Sequence, residues 1–230
     1  MGELPDEFPC VITNWEYIYD LCRDVADDVK AAEFEPDVVV ALARGGWFAG
    51  RCLCDFLGLD DLASLKIEHY VGTAQQGHEP EIRYPLADGA VEGKDVLVVD
   101  DIADTGQSLQ TAADCVTERN PASVRTATLQ LLDTSEHEPA FVGERLDEWA
   151  WVVYPWNFIE DMTELVGGVM NKSNREVHTV KHVRSLLREY YDVNPTAFEI
   201  AQPDRLDEVM AEMVRRGMAT RTDTGWRLTD

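Results

Sequence analysis

Between residues 37 and 154 the chain repeatedly passes from a short, uninterrupted apolar run into a turn and then into helical spacing. This alternation limits the fold more than any other feature. Asp37-Val38-Val39-Val40-Ala41-Leu42 reads as a strand buried on both faces, because no polar residue alternates with the apolar ones. Arg44-Gly45-Gly46 makes a turn, and 47–57 reads as a helix. The pattern recurs as a strand over 96–100 with a helix over 108–119, a strand over 124–132, and a last apolar strand over 151–154. Ahead of these, 15–32 has helical spacing that stops before Pro36, and 63–70 reads as a strand. The polar stretch VGTAQQGHEPEIRYPLADGA that follows predicts a mobile loop with a strand in its second half. Strands alternating with helices imply an α/β fold built on a mainly parallel sheet.

At 230 residues and 45% hydrophobic content, the chain can bury a core for one substantial domain and a small appendix. No apolar run is long enough to span a bilayer. The opening MGELPDEFPC is acidic and lacks the plan of a signal peptide, so the expectation is a cytoplasmic protein with no membrane partner. The cysteines, Cys10, Cys22, Cys52, Cys54 and Cys115, have no CxxC spacing and read as reduced thiols. Net charge is −24, from 44 acidic and 20 basic residues. Lysine occurs only at 30, 66, 94, 172 and 181. An acidic, lysine-poor surface repels itself unless salt screens it, which points to a halophilic cytoplasm.

That charge is unevenly spread. Residues 174–230 hold ten acids and nine bases, so the rest of the chain carries nearly all of the excess. The pattern there is a helix over 178–191, a short helix over 195–201, a helix over 204–216 stopped by Gly217, and a hairpin of 218–221 with 225–228. Helix, short helix, helix and hairpin is the order of a winged-helix unit. The expected division is therefore 1–160, a linker over 161–173, and a winged-helix-like domain over 174–230.

The chemistry concentrates in VLVVDDIADTGQSL, residues 96–109. In an open parallel sheet, ligands sit beyond the carboxyl ends of the strands, where Asp100, Asp101 and Arg44 fall. Adjacent carboxylates there can accept hydrogen bonds from vicinal hydroxyls or hold a divalent cation. Asp104-Thr105-Gly106-Gln107-Ser108 then enters a helix, whose amides and hydroxyls suit a phosphate. A phosphorylated ribose satisfies both grips. No GxxxxGK[ST] loop is present, which counts against an ATPase.

VLVVDDIADTGQS closely resembles the phosphoribosyl-pyrophosphate (PRPP) signature of type I phosphoribosyltransferases, and 38–46 resembles the pyrophosphate loop of the purine-type members. The resemblance covers roughly residues 10–160. It implies that Ala43, Arg44 and Gly45 hold pyrophosphate. Asp100 and Asp101 would hold the ribose hydroxyls and Mg²⁺, and Thr105, Gly106, Gln107 and Ser108 the 5′-phosphate. Asp104 would lie near the base and accept its proton. LKIEHYVGT falls where the family carries a lid, with Tyr70 before its moving part. WAWVVYPWNF resembles the hood of xanthine-guanine members, with Trp151 stacking on the base and Val152 reading its edge through the backbone. One position departs from the family: Asp133 stands where 6-oxopurine members usually place a lysine, and a carboxylate accepts hydrogen bonds but cannot donate as an ammonium does.

The function this implies is transfer of the phosphoribosyl group of PRPP to a purine base, with Mg²⁺ as cofactor and release of pyrophosphate, in a homo-oligomer (dimer or tetramer). The alternative is a PRPP-sensing transcription regulator that binds DNA through 174–230. Arg205, Arg215, Arg216, Arg221 and Arg227 favour it, and the acids Asp204, Asp207 and Glu208 at the start of the candidate recognition helix oppose it.

Overall fold

The computed structural model describes residues 6–69 and 80–229. In chain order the elements are β1 (Cys10–Ile12), α1 (Trp15–Ala31), β2 (Val38–Ala43), α2 (Gly46–Leu57), β3 (Leu62–His69), β4 (Pro80–Tyr84), β5 (Asp95–Ala103), α3 (Gln107–Thr117) and β6 (Ser123–Leu132). Then come β7 (Phe141–Leu146), β8 (Trp151–Val153), α4 (Phe158–Lys172), α5 (Val180–Tyr191), α6 (Pro195–Ala201), α7 (Arg205–Arg215), β9 (Ala219–Thr222) and β10 (Gly225–Leu228). Two compact units result, Glu16–Trp149 and the pair of segments Met1–Trp15 and Ala150–Asp230.

In the first unit, the uninterrupted apolar runs become the interior strands of a six-stranded sheet ordered β4-β3-β2-β5-β6-β7. All neighbours run parallel except β4, which is antiparallel to β3. Val39, Val40, Val96, Leu97, Val98 and Val99 are fully buried, as strands covered on both faces require. Helix α1 turns Ile18, Leu21, Cys22, Val25, Ala26 and Val29 inward at helical spacing, and α3 does the same with Leu109, Ala112, Cys115 and Val116. Leu109, Ala112, Cys115 and Val116 join Val38, Val40, Leu42, Val96 and Val98 in one apolar cluster. Burying side chains of this size stabilises the fold by about 1.5–3 kcal/mol each before chain entropy is counted. Helix α2 lies close to β2 because Gly50 has no side chain. A methyl there would come 2.7 Å from the Ala41 Cβ.

The second unit pairs β1 with β8 in parallel, Val11 opposite Val152, and carries α4 to α7 and the β9–β10 hairpin. Two of its helix starts, those of α5 and α6, are capped by side chains. Thr179 and His182 form a reciprocal capping box on α5, and the Asn194 side chain accepts from the amides of Thr196 and Ala197 at the start of α6. The helix–short helix–helix–hairpin order expected after residue 174 is present as α5, α6, α7 and β9–β10.

Three features differ from the expected organisation. The segment 161–173, expected to be a linker, is most of helix α4. A side chain at Gly168 in that helix would come 2.9 Å from the Tyr191 hydroxyl of α5, so glycine serves close packing. The segment 10–12, expected with the sheet domain, instead builds the second unit with β8. Strand β7 is an additional edge strand of the sheet. Among the described residues, no helix is long and apolar enough to cross a membrane.

Candidate active site

Strands β2, β5 and β6 are neighbours, so their carboxyl ends bring the 43–46 turn, the 100–108 segment and the 133–138 loop to one edge of the sheet. The turn after β2 contains a cis peptide bond between Ala43 and Arg44. Arg44 is exposed, and its carbonyl accepts from the Trp47 amide at 3.3 Å. Gly45 lies directly against the Asp101 carboxylate, in space that a Cβ would fill. At Gly46 a Cβ would come 2.7 Å from the Val99 carbonyl oxygen and 3.2 Å from an Asp100 carboxylate oxygen. The paired glycines therefore allow the turn of β2 to press against the acidic end of β5.

Asp100 Oδ1 accepts from the Asp101 amide at 3.0 Å, and the Gly46 amide also donates to Asp100. Asp101 is 8% exposed, and its Oδ1 accepts from the Ile102 amide at 3.0 Å. Burial first, and then the neighbouring Asp101 charge, hold the Asp100 carboxyl well above the ordinary carboxylate range. The two backbone donors offset this only in part.

The loop after β5 opens α3 through Gly106, whose φ is +75°, in the left-handed region. A side chain there would be strained and would come 2.5 Å from the Ser135 hydroxyl. Thr105 Oγ1 accepts from the Gln107 amide at 3.4 Å, and the Gly106 carbonyl accepts from the Gln110 amide at 2.9 Å. Ser108 lies in the first turn of the helix. The amides of 106–108 thus form the start of an eleven-residue helix, where an anion is favoured.

Asp104 is exposed, and the Thr134 hydroxyl lies 2.9 Å from its Oδ1 and 3.0 Å from its carbonyl oxygen. The Glu136 amide donates to the Thr105 carbonyl at 3.1 Å. Asp133, directly after β6, is exposed, and its amide donates to the Leu146 carbonyl at 3.3 Å. Arg145 feels the Asp133 charge and forms an ion pair with Glu138. Burial holds the His137 imidazole below its ordinary value, while Asp114 and Glu138 act in the opposite direction.

The structure thus brings together Ala43, Arg44, Gly45, Asp100, Asp101, Asp104, Thr105, Gly106, Gln107, Ser108 and Asp133 at one sheet edge. Trp151 and Val152 lie in β8 of the other unit, paired opposite Cys10 and Val11. The Trp151 ring is 6.4 Å from that of Phe8, and its indole N–H is buried with no acceptor among the described residues. Trp156 stacks on Tyr154 at 4.8 Å, a packing role. Tyr70, the expected lid residue, lies outside the described residues. Gly46 and Thr134 gained no role from the sequence. The doubled glycine was a signal for Gly46, whereas Thr134 had none, since it acts across 30 residues.

The arginines that favoured a DNA-binding surface are engaged within the second unit. Arg215 and Arg216 both pair with Glu212, Arg205 with Glu208 and Arg227 with Glu176, while Arg221 lies over the Trp226 ring. Residues 204–216 present Asp207 and Glu208 in the first turn of α7. Acids there oppose phosphate approach.

Comparison with known proteins gives a consistent result. The family model for the phosphoribosyl transferase domain matches residues 11–158. Hypoxanthine-guanine phosphoribosyltransferase of Canis lupus familiaris is 37% identical over 76 residues, which is 32% of this chain and 35% of the relative. The human protein of the same name is 36% identical over a stretch of the same length. The chain therefore spans about a third of the length of the curated relatives it matches. The purine phosphoribosyltransferase structure from Pyrococcus horikoshii superposes with a TM-score of 0.57 at 26% identity, covering 64% of this chain and 93% of that one. Xanthine-guanine-hypoxanthine phosphoribosyltransferase of Helicobacter pylori shares the fold at 17% identity and a TM-score of 0.54, covering 69% of this chain and 97% of that one.

Proposed function

Since the chain belongs to the phosphoribosyl transferase domain family, we propose that it is a purine phosphoribosyltransferase of nucleotide salvage. It would join a purine nitrogen to C1′ of PRPP with release of pyrophosphate. The observation that carries this reading is the Asp100–Asp101 pair, pressed against Gly45 and followed by the left-handed Gly106 that opens α3. A ribose-binding acid pair, a phosphate cradle and a pyrophosphate turn then lie at one sheet edge.

The residues fit Mg²⁺. Two adjacent carboxylates in a partly buried site repel each other, and a divalent cation relieves that repulsion. Among the described residues no group of three or more acidic, histidine or cysteine side chains forms a full cage. Such a site suits an ion that keeps waters and takes oxygens from its substrate. Asp100 and Asp101 would hold it, and when bound it would neutralise charge on pyrophosphate.

In the proposed reaction, the 106–108 amides and the Thr105 and Ser108 hydroxyls bind the 5′-phosphate. The amides of the 43–45 turn and the Arg44 guanidinium stabilise the charge that gathers on departing pyrophosphate. The C1′–oxygen bond breaks with its electron pair going to pyrophosphate, and the base nitrogen supplies the new bond. Carboxylates near C1′ favour the positive charge that develops between these events. Asp104 accepts the proton that the base loses. Asp133 accepts a hydrogen bond from an N–H on the base edge, whereas Trp151 and Val152 keep base-binding roles by resemblance alone.

Pyrophosphate release from PRPP and Mg²⁺ in molar KCl, with guanine, xanthine, hypoxanthine and adenine supplied in turn, tests the reading. Base-dependent release with formation of the nucleotide is expected. PRPP binding without turnover on any base would overturn it.

A further inference from the structure

We infer that Thr134 is a positioning residue for the reaction, holding the Asp104 carboxylate and tying the phosphate loop to the segment that follows β6. The inference rests on the role proposed for Asp104. Both residues are exposed, and among the described residues the Thr134 hydroxyl is the side-chain donor that reaches the Asp104 carboxylate. A free aspartate samples several rotamers, and a base that must meet a proton at hydrogen-bond distance loses rate in every other one. The Thr134 hydroxyl has one proton and two acceptors within reach, Asp104 Oδ1 at 2.9 Å and the Asp104 carbonyl at 3.0 Å. Donation to the carboxylate is the charge-assisted and stronger choice. Threonine suits the task because its branched side chain has few χ1 wells, so the hydroxyl is itself restrained.

The contact belongs to a wider clasp. The Glu136 amide binds the Thr105 carbonyl, and Gly106 abuts Ser135 and the His137 side chain. Ser135 Oγ donates to the His137 carbonyl at 2.8 Å, and the His137 Nε2 lies 3.3 Å from Thr126 Oγ1 on β6. The loop at 134–137 is therefore anchored on its own strand and reaches across to 104–106. Backbone contacts shape the phosphate cradle, and Thr134 is the side chain of that loop that reaches the Asp104 carboxylate. Removing its hydroxyl should therefore slow the chemical step and leave PRPP affinity almost unchanged.

The test is steady-state kinetics of the full chain in molar KCl for Thr134→Val, Thr134→Ser, Asp104→Asn and the Val/Asn double variant. Thr134→Val keeps shape and removes the donor. It should lower kcat by about tenfold while KM for PRPP moves by less than about threefold. Thr134→Ser should restore most of the rate. The double variant should be no slower than Asp104→Asn, because Thr134 acts through that carboxylate. A normal kcat in Thr134→Val, beside a slow Asp104→Asn, overturns the inference alone. Loss of PRPP binding without rescue by serine also overturns it, in favour of a part in loop folding. A normal rate in Asp104→Asn overturns the role of Asp104, and this inference with it.

Discussion

Asp100 and Asp104 are the same residue type at the same sheet edge, yet they are held differently. Asp100 is partly buried, beside a second carboxylate, and takes its hydrogen bonds from the backbone amides of Asp101 and Gly46. Asp104 is exposed and takes its hydrogen bond from a side chain, Thr134. A carboxyl pushed toward its neutral form by burial and a like charge suits a cation or a ribose hydroxyl, which rewards the concentrated negative charge. An exposed carboxylate with one adjustable donor suits a proton that must come and go. Proximity to the same substrate does not give the two the same task. Their donors and their solvation separate them.

The sharpest break in this comparison lies in the loop that follows Asp104. Gly106→Val should cut PRPP turnover by more than about 100-fold, because the new side chain meets both a left-handed backbone and the Ser135 hydroxyl. Its KM for PRPP should rise with the fall in kcat, which kinetics across PRPP concentration would show. Asp104→Asn comes next. It should lower kcat by about 100-fold with KM for PRPP little changed, as loss of a proton acceptor requires. A variant that instead loses PRPP affinity would make Asp104 a ligand-holding acid like Asp100 and erase the distinction.

Asp100→Asn tests the buried side. A carboxyl raised on folding contributes stability below its unfolded pKa, near 4, and loses that contribution as pH rises through its folded value. Relative to wild type, the amide should therefore have little advantage at pH 4 and gain stability toward neutral pH in metal-free buffer. Denaturant titrations in molar KCl with a chelator would measure it, and added Mg²⁺ should reverse it. The smallest effect is expected at Glu212, a half-buried acid whose carboxyl pKa is pulled down to about 2 by hydrogen bonds from Arg215 and Arg216. Glu212→Gln should leave turnover unchanged, and a change would give the second unit a part in catalysis.

Where a signal was local, the sequence was readable. Strand β2 and the 96–99 half of β5 are continuous apolar runs, the acid pair follows that run within β5, and the phosphate loop follows the strand without a break. Strand β7 was not readable, since FVGERL is broken by Gly143. Glycine is needed there because a Cβ would come 2.7 Å from the Leu129 carbonyl oxygen of β6, a fact that belongs to the packed sheet. Strand β1 is three residues long and is defined only by its distant partner β8. In the site, the identities of Asp100, Asp101 and Asp104 were legible. That Asp100 is pushed toward neutrality depends first on burial that only the packed sheet supplies, and that Asp104 is clasped depends on Thr134 from another loop.

The parallel pairing of Cys10–Ile12 with Trp151–Val153 also sets an order of assembly during synthesis. A ribosome releases residues 10–12 long before their partner exists, so this strand has no sheet to join until some 140 residues have followed it. The segment Glu16–Trp149 is meanwhile complete in its own right and can fold while tethered at both ends. The second unit is thus formed by two sequence segments that flank an insertion. Its first strand must wait unpaired, and three residues of which only Cys10 is buried are a short edge to leave waiting, which limits the opportunity for mispairing with another chain.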